Sequence, residues 1–305
     1  MSIVFIVKST IRNKQNFYRF LEEFRSFGHI ERIEVKETQK AGHAISLAFQ
    51  SCNEGFEYVI AVGGDGTLNE VINGVLSHPH HVPCIALLPY GSGNDFSRMA
   101  FGFHQPQELM EALRKQKRKT VDIPVLRSTA ENTESRKMYY VNMLDAGIGG
   151  VVSRKVNRSK KRLGVGFSFF TSILSTFLTY STSRARIVLN GKEVIEKKIL
   201  MVAVANGISF GNGLIISPDS RPDDGKLNVI VFGDVSVWLY LKYLPKIRKG
   251  IKIEHPEISY HLAQSISVEP ISHSLSVEYD GEFGGYAPLK VELNGTKIDF
   301  LVPVL

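Results

Sequence analysis

Residues 58–67 read Tyr-Val-Ile-Ala-Val-Gly-Gly-Asp-Gly-Thr, and the fold turns on this stretch. The apolar run Tyr58 to Val62 suits a strand covered on both faces. The glycines that follow permit a tight turn in which backbone N–H groups reach a ligand unobstructed. Thr67 stands three residues before Glu70, the spacing of a capping box, which predicts a helix over Thr67 to Leu76 with its positive end at the loop. Strand, glycine turn and helix start together make an anion cradle. The plainer reading is a turn that merely needs glycine. Three glycines enclosing an acidic residue after a buried strand argue against it. The Asp65 carboxylate beside a phosphate would be repulsive unless a cation such as Mg²⁺ stands between them.

Working outward, Ile3 to Val7 and Val82 to Leu88 are further apolar runs, Ile30 to Val35 alternates, and Ala41 to Ser51 has helical spacing. Phe17, Phe20, Leu21 and Phe24 fall at i, i+3, i+4 and i+7. Strands apolar on both faces with helices between them predict an α/β domain over 1–124, a doubly wound parallel sheet. Ligands of such sheets lie beyond the carboxyl ends of the strands. A second polar loop, Pro89-Tyr90-Gly91-Ser92-Gly93-Asn94-Asp95-Phe96, falls on that same edge and points to a nucleotide-sized crevice.

After the basic run Arg114 to Lys119 the texture changes to short β-like stretches with turn signals. Examples are Met138 to Met143, Ala185 to Leu189 before Asn190-Gly191, Ile199 to Ala205, Leu275 to Tyr279, and Leu289 to Leu293 before Asn294-Gly295. A mainly antiparallel β-sandwich is expected over 125–305, its last strand able to return to the first domain.

Of 305 residues, 43% are hydrophobic, enough for two ordinary cores, which excludes intrinsic disorder. The net charge of +7 favours anionic partners. Cys52 and Cys84 form no CxxC pair, which argues against a disulfide framework and suits a reducing, cytoplasmic setting. Leu163 to Tyr180 carries no charge, but six Ser and Thr residues interrupt it, while Phe167, Phe170, Leu174, Phe177 and Leu178 recur at helical spacing. This is an amphipathic helix, not a membrane span. The preceding Arg154 to Arg162 run suits docking on an anionic bilayer, at an inner membrane face, or else is a solvated turn before a core helix. No recognition-helix, RNP or zinc pattern accompanies it, so a nucleic-acid partner is not expected. His78-Pro79-His80-His81 reads as a loop.

Four motifs occur in order: Gly63-Gly64-Asp65-Gly66-Thr67, then Gly91-Ser92-Gly93-Asn94-Asp95-Phe96, then Asp223-Asp224-Gly225-Lys226-Leu227, then Asp280-Gly281-Glu282. Together they resemble the diacylglycerol kinase catalytic-domain family, especially its soluble bacterial lipid kinases and the sphingosine kinases, over nearly the whole chain. The resemblance implies ATP contacts at Thr38, Gly63, Gly64, Asp65, Gly66, Thr67, Glu70, Gly91, Ser92 and Asn94. It implies Mg²⁺ held through Asp65, Asp95 and Asp122, and a second, structural Mg²⁺ at Asp224 with Arg221 and Lys226. Glu282 would be the general base, supported by Asp280, for a lipid hydroxyl attacking the γ-phosphate. Lys8-Ser9-Thr10 stands where the family usually has Asn-Pro-x-Ser-Gly, and Lys8 would supply a positive charge there. Asn142 and Gly147 to Gly150 match the family's segment opening the second domain; Asp145 within it has no role that the resemblance implies. The expected activity is ATP- and Mg²⁺-dependent phosphorylation of a diacylglycerol-like lipid by a monomer or homodimer. The rivals are a sphingoid-base kinase, a kinase of a soluble substrate such as NAD, and a non-catalytic nucleotide-binding regulator.

Overall fold

The computed structural model describes residues 1–27, 30–99, 101–128, 137–158 and 165–304, without the side chains of residues 157–158, 165–167 and 169. It divides into two units, Met1–Val121 with Lys297–Leu305, and Asp122–Thr296.

The first unit alternates β1 (Ser2–Val7), α1 (Lys14–Ser26), β2 (Arg32–Glu37), α2 (His43–Asn53), β3 (Tyr58–Gly63), α3 (Asp65–Ser77), β4 (Cys84–Pro89), α4 (Pro106–Lys115) and β5 (Arg118–Asp122). β1 pairs in parallel with β2 and β3, and β3 with β4. α1 forms because its aromatic stripe is buried: Phe17 and Phe24 both meet Phe5 of β1 edge-on, at 6.0 and 5.7 Å between ring centroids. α4 starts at a Gln105–Glu108 capping box with Pro106 in its first turn and ends on left-handed Gln116. The chain's last strand, Lys297–Leu301, lies between β4 and β5, parallel to β4.

The second unit contains β6 (Val125–Ser128), β7 (Lys137–Tyr139), β8 (Met143–Gly147), α5 (Ile148–Arg158), α6 (Val165–Phe177), β9 (Ser183–Leu189), β10 (Glu193–Ile199), β11 (Met201–Ala205), β12 (Ser209–Phe210), β13 (Leu214–Ile215), β14 (Leu227–Phe232), α7 (Val237–Arg248), β15 (Ile258–Ala263), β16 (Ser265–Pro270), β17 (Ser276–Tyr279), β18 (Glu282–Tyr286) and β19 (Leu289–Glu292). The chain's last strand is thus β20. Two antiparallel sheets, ordered β10-β9-β16-β19-β6-β7 and β15-β14-β11-β8-β17-β18, form a sandwich. Ile187, Val268 and Val291 of one sheet share a core with Leu144, Val204 and Val231 of the other. On the outer face of the second sheet, Met143, Ala203 and Ile230 pack with α5, α6 and α7 residues.

Two expectations are corrected. The Met138 to Met143 stretch is not one strand. It leaves the first sheet after Tyr139 and enters the second at Met143, because the amides of Val141, Asn142 and Met143 are all taken by the Asp280 carboxylate. Thr67 and Glu70 form no capping box either. The helix begins two residues earlier, at Asp65, with Gly64 as an N-cap that makes no side-chain bond. Among the described residues no helix is long and apolar enough to cross a membrane. Ser159 to Arg162 of the basic run, and Leu163, lie outside the described residues.

Candidate active site

In the first unit the carboxyl ends of β1, β2, β3 and β4 bring four loops to one edge. Thr38, buried, accepts a hydrogen bond from the Ser9 amide at 3.2 Å, which ties the Lys8-Ser9-Thr10 loop to the end of β2. The glycine loops pack backbone on backbone: a Cβ on Gly91 would overlap the Gly64 Cα, and one on Gly64 would come within 3.1 Å of the Gly91 Cα. Only glycine allows that approach. The Asp65 carboxylate bridges the same loops, accepting the Asp95 amide on Oδ2 and the Phe96 amide on Oδ1, each at 3.0 Å. Asn94, at positive φ, donates to the Pro89 and Gly91 carbonyls at 2.9 and 3.1 Å. Glu70 accepts the amides of Gly42 and Ala44 at 2.9 and 3.0 Å, so it caps α2 and not its own helix. Ser92 stays exposed, and the Thr67 side chain fills the space where Gly63 lacks a Cβ.

This edge suits a hydrated magnesium ion. The Oδ2 atoms of Asp65 and Asp95 approach within 3.2 and 3.4 Å of the point where a Cβ of Gly93 would stand, and the buried Asn94 Oδ1 has no donor. Magnesium is commonly held by one or two carboxylates, with water and phosphate completing the shell. Among the described residues no three His, Cys, Asp or Glu side chains cluster as metal ligands.

Asp122 belongs to the second unit, where its buried carboxylate accepts the Gly225 amide at 2.8 Å, and its own amide donates to the Pro222 carbonyl at 2.7 Å. It therefore braces the 221–226 loop. Within that loop Asp224 Oδ1 accepts the Lys226 amide at 3.0 Å, and Arg221 and Lys226 are exposed.

The Asp280-Gly281-Glu282 turn joins β17 to β18. Asp280 sits at positive φ with its side chain buried, holding the Val141, Asn142 and Met143 amides at 2.8, 2.9 and 3.1 Å. A carboxylate with three amide donors is a rigid anchor. Glu282, two residues on, is exposed at the start of β18. α5 supports the same hairpin: Ser153 donates to the Gly281 carbonyl, and the Arg154 guanidinium lies over Phe283 at 4.7 Å and bonds the Tyr286 hydroxyl at 2.8 Å.

Beneath this turn lies a pair that the sequence motifs do not contain. Glu278 and Asp145 face each other on β17 and β8, both buried. Glu278 also accepts the Gly281 amide. Neither Asp145 oxygen completes a hydrogen bond of good geometry, although the Glu278 carboxyl and the Gly149 and Gly150 amides stand close to it. Burial pushes Asp145 up from 3.8 to about 6. Burial first, and the Asp145 charge second, raise Glu278 as well. Tyr180, nearby, is pushed up to about 12 by burial and then by Asp145. Two facing acids are legible only once the strand register is known. The hint in the sequence was an acidic residue inside an otherwise apolar segment.

The folded protein therefore holds a proton near pH 5 that the unfolded chain has released. This contribution to stability is complete below about pH 4 and disappears as pH rises through about 6. Asp145→Asn should flatten that slope, by about 1–3 kcal/mol across the window. Urea unfolding of both proteins between those pH values measures it; parallel curves would refute it.

Residues 3–125 match the diacylglycerol kinase catalytic domain, and residues 142–302 match the YegS C-terminal NAD kinase beta sandwich-like domain. A diacylglycerol kinase of Staphylococcus carnosus is 28% identical over 254 residues, covering 82% of this chain and 78% of that protein. A Staphylococcus aureus diacylglycerol kinase is 26% identical over 269 residues, covering 87% and 81%. In fold, a diacylglycerol kinase of Bacillus anthracis superposes with a TM-score of 0.67 at 19% identity, covering 99% and 96% of the two chains. An NAD kinase of Archaeoglobus fulgidus in complex with ATP gives 0.54 at 14%, covering 99% and 94%. The catalytic-domain match and the curated relatives place the chain among the kinases. The chain belongs to the diacylglycerol kinase catalytic-domain family.

Proposed function

We propose that the protein is an ATP- and Mg²⁺-dependent lipid kinase that transfers the γ-phosphate to the hydroxyl of a diacylglycerol-like lipid, giving phosphatidic acid or a similar phospholipid. The observation that carries this reading is the 280–282 turn, an exposed Glu282 two residues beyond an Asp280 held by three amides. A solvated turn residue needs no such anchor; a base that must meet its substrate at a set position does.

In this mechanism the amides of Gly64 to Gly66 and the start of α3 receive the phosphates. Thr38, Thr67, Glu70, Gly91, Ser92 and Asn94 shape the nucleotide's surroundings. Asp65 and Asp95 would hold Mg²⁺, which would supply positive charge to offset that of the phosphates. Glu282 takes the proton of the lipid hydroxyl as its oxygen bonds to the γ-phosphorus, and the bond to the β–γ bridging oxygen breaks to release ADP. Asp280 keeps the base in position without touching the reacting atoms. Asp224, with the Arg221 and Lys226 carbonyls, would hold a second, structural Mg²⁺ in the loop that Asp122 braces through the Gly225 amide.

The likeness to an ATP-bound NAD kinase keeps one rival in view. The deciding assay incubates the protein with γ-labelled ATP, Mg²⁺ and mixed micelles of diacylglycerol, a sphingoid base or no lipid, with NAD in a parallel reaction. Label in the diacylglycerol fraction is expected; label in NAD alone would overturn the proposal.

A further inference from the structure

From Val235 to Lys252 the chain has no acidic residue and five cationic ones, Lys242, Lys246, Arg248, Lys249 and Lys252. Ser236 caps α7 by accepting the Leu239 amide on its hydroxyl. The inner side of α7 packs on the outer face of the second sheet through Ile247, with Leu239, Tyr240 and Tyr243 against the same cluster, and the Tyr240 ring lies tilted against Phe177 at 5.5 Å between centroids. The outer side carries Trp238, 76% exposed, followed at helical spacing by exposed Lys242, Pro245, Lys246 and Lys249. Leu178, adjacent to Phe177, is 81% exposed, and Ile251, three residues past α7, is 49% exposed. Lys252 is taken by Asp219. Among the described residues no ion pair engages Lys242, Lys246, Arg248 or Lys249.

A tryptophan held in water beside exposed aliphatic groups and uncompensated cations has the composition of a membrane-interface surface, in which the indole sits at headgroup level and the lysines meet anionic headgroups. We propose that the outer side of α7, with Trp238 as its anchor and Lys242, Lys246 and Lys249 around it, docks the protein on an anionic lipid bilayer. A second copy of the chain is a poorer occupant, since a two-fold contact would set these cations against themselves. The surface rests on the lipid-kinase reading for its purpose, bringing the chain to where its acceptor lies, but its test does not depend on turnover.

Trp238 is the only tryptophan of the chain, so its emission reports this surface alone. On phosphatidylglycerol vesicles its emission should shift to the blue and be quenched by brominated acyl chains. Phosphatidylcholine vesicles should produce neither effect, and about 0.5 M salt, where the Debye length is about 4 Å, should reverse both. Lys242→Glu with Lys246→Glu, both exposed, should keep the circular dichroism of the parent and lose vesicle affinity by about tenfold or more. Unchanged emission on anionic vesicles, an equal shift on neutral ones, or full affinity in the charge-reversed variant would overturn the proposal. So would a shift that depends on protein concentration without lipid, which would make a second copy the occupant. Phosphorylation of micellar lipid by a protein that ignores vesicles would refute the docking and leave the kinase reading intact; vesicle binding without labelled lipid would do the reverse.

Discussion

Replacing Glu282 with Gln is expected to slow phosphoryl transfer by about 10²–10⁴-fold while leaving nucleotide affinity where it was. The amide keeps the size of the side chain but cannot accept the proton of the attacking hydroxyl. The turn itself should survive, because its anchor is the neighbouring Asp280 with its three backbone donors. That separation makes Glu282 the informative position. Asp280→Ala would leave three inner amides without an acceptor, a cost of several kcal/mol, and any lost activity would then report a broken turn. Single-turnover label transfer, with nucleotide affinity measured alongside, tests the prediction. A variant that turns over at the parental rate would remove Glu282 from the base role.

Asp65→Asn should weaken nucleotide binding at least tenfold and lower the melting temperature by several degrees, an effect close to that of Asp65→Ala. The usual view of Asn as a mild replacement fails here for a geometric reason. The carboxylate accepts two amides, one on each oxygen. Asn offers one acceptor and turns an NH₂ donor toward the other amide, so it loses a charge-assisted bond worth about 1.5–3 kcal/mol and sets donor against donor. The second glycine loop would then drift from the first, although the two touch at Gly64 and Gly91. Calorimetry of nucleotide binding and thermal melting are the measurements. If Asp65→Asn melted like the parent and changed only the magnesium requirement, its part as a clamp between loops would be refuted.

How legible each feature is in the sequence follows the range of the interactions involved. The apolar runs of β1, β3 and β4 and the aromatic stripe of α1 are local patterns set by burial, and they predict the parallel sheet, while the short β-like stretches that end at Asn190-Gly191 and Asn294-Gly295 predict the sandwich. The glycine loops were legible because close backbone approach leaves a mark on composition. The spacing of Glu70 from Thr67 satisfies a local rule, while its partners in the fold are the amides of Gly42 and Ala44 at the start of α2, 28 and 26 residues away along the chain. Asp280's three donors lie 137 to 139 residues upstream, and Asp145 meets Glu278 only through strand register. Such pairings leave no periodicity to find.

The place of β20 bears on how the chain is made. A ribosome delivers β1 through β5 long before the strand that belongs between β4 and β5 exists. Until Lys297–Leu301 emerges, β4 holds an unsatisfied ladder edge of the kind that invites mispairing. The closure pairs Phe300 with Ile85, about 215 residues earlier, the kind of long-range step that slows folding. A fragment ending at Val121 would therefore leave β4 with an open edge and β5 without its neighbour in the sheet.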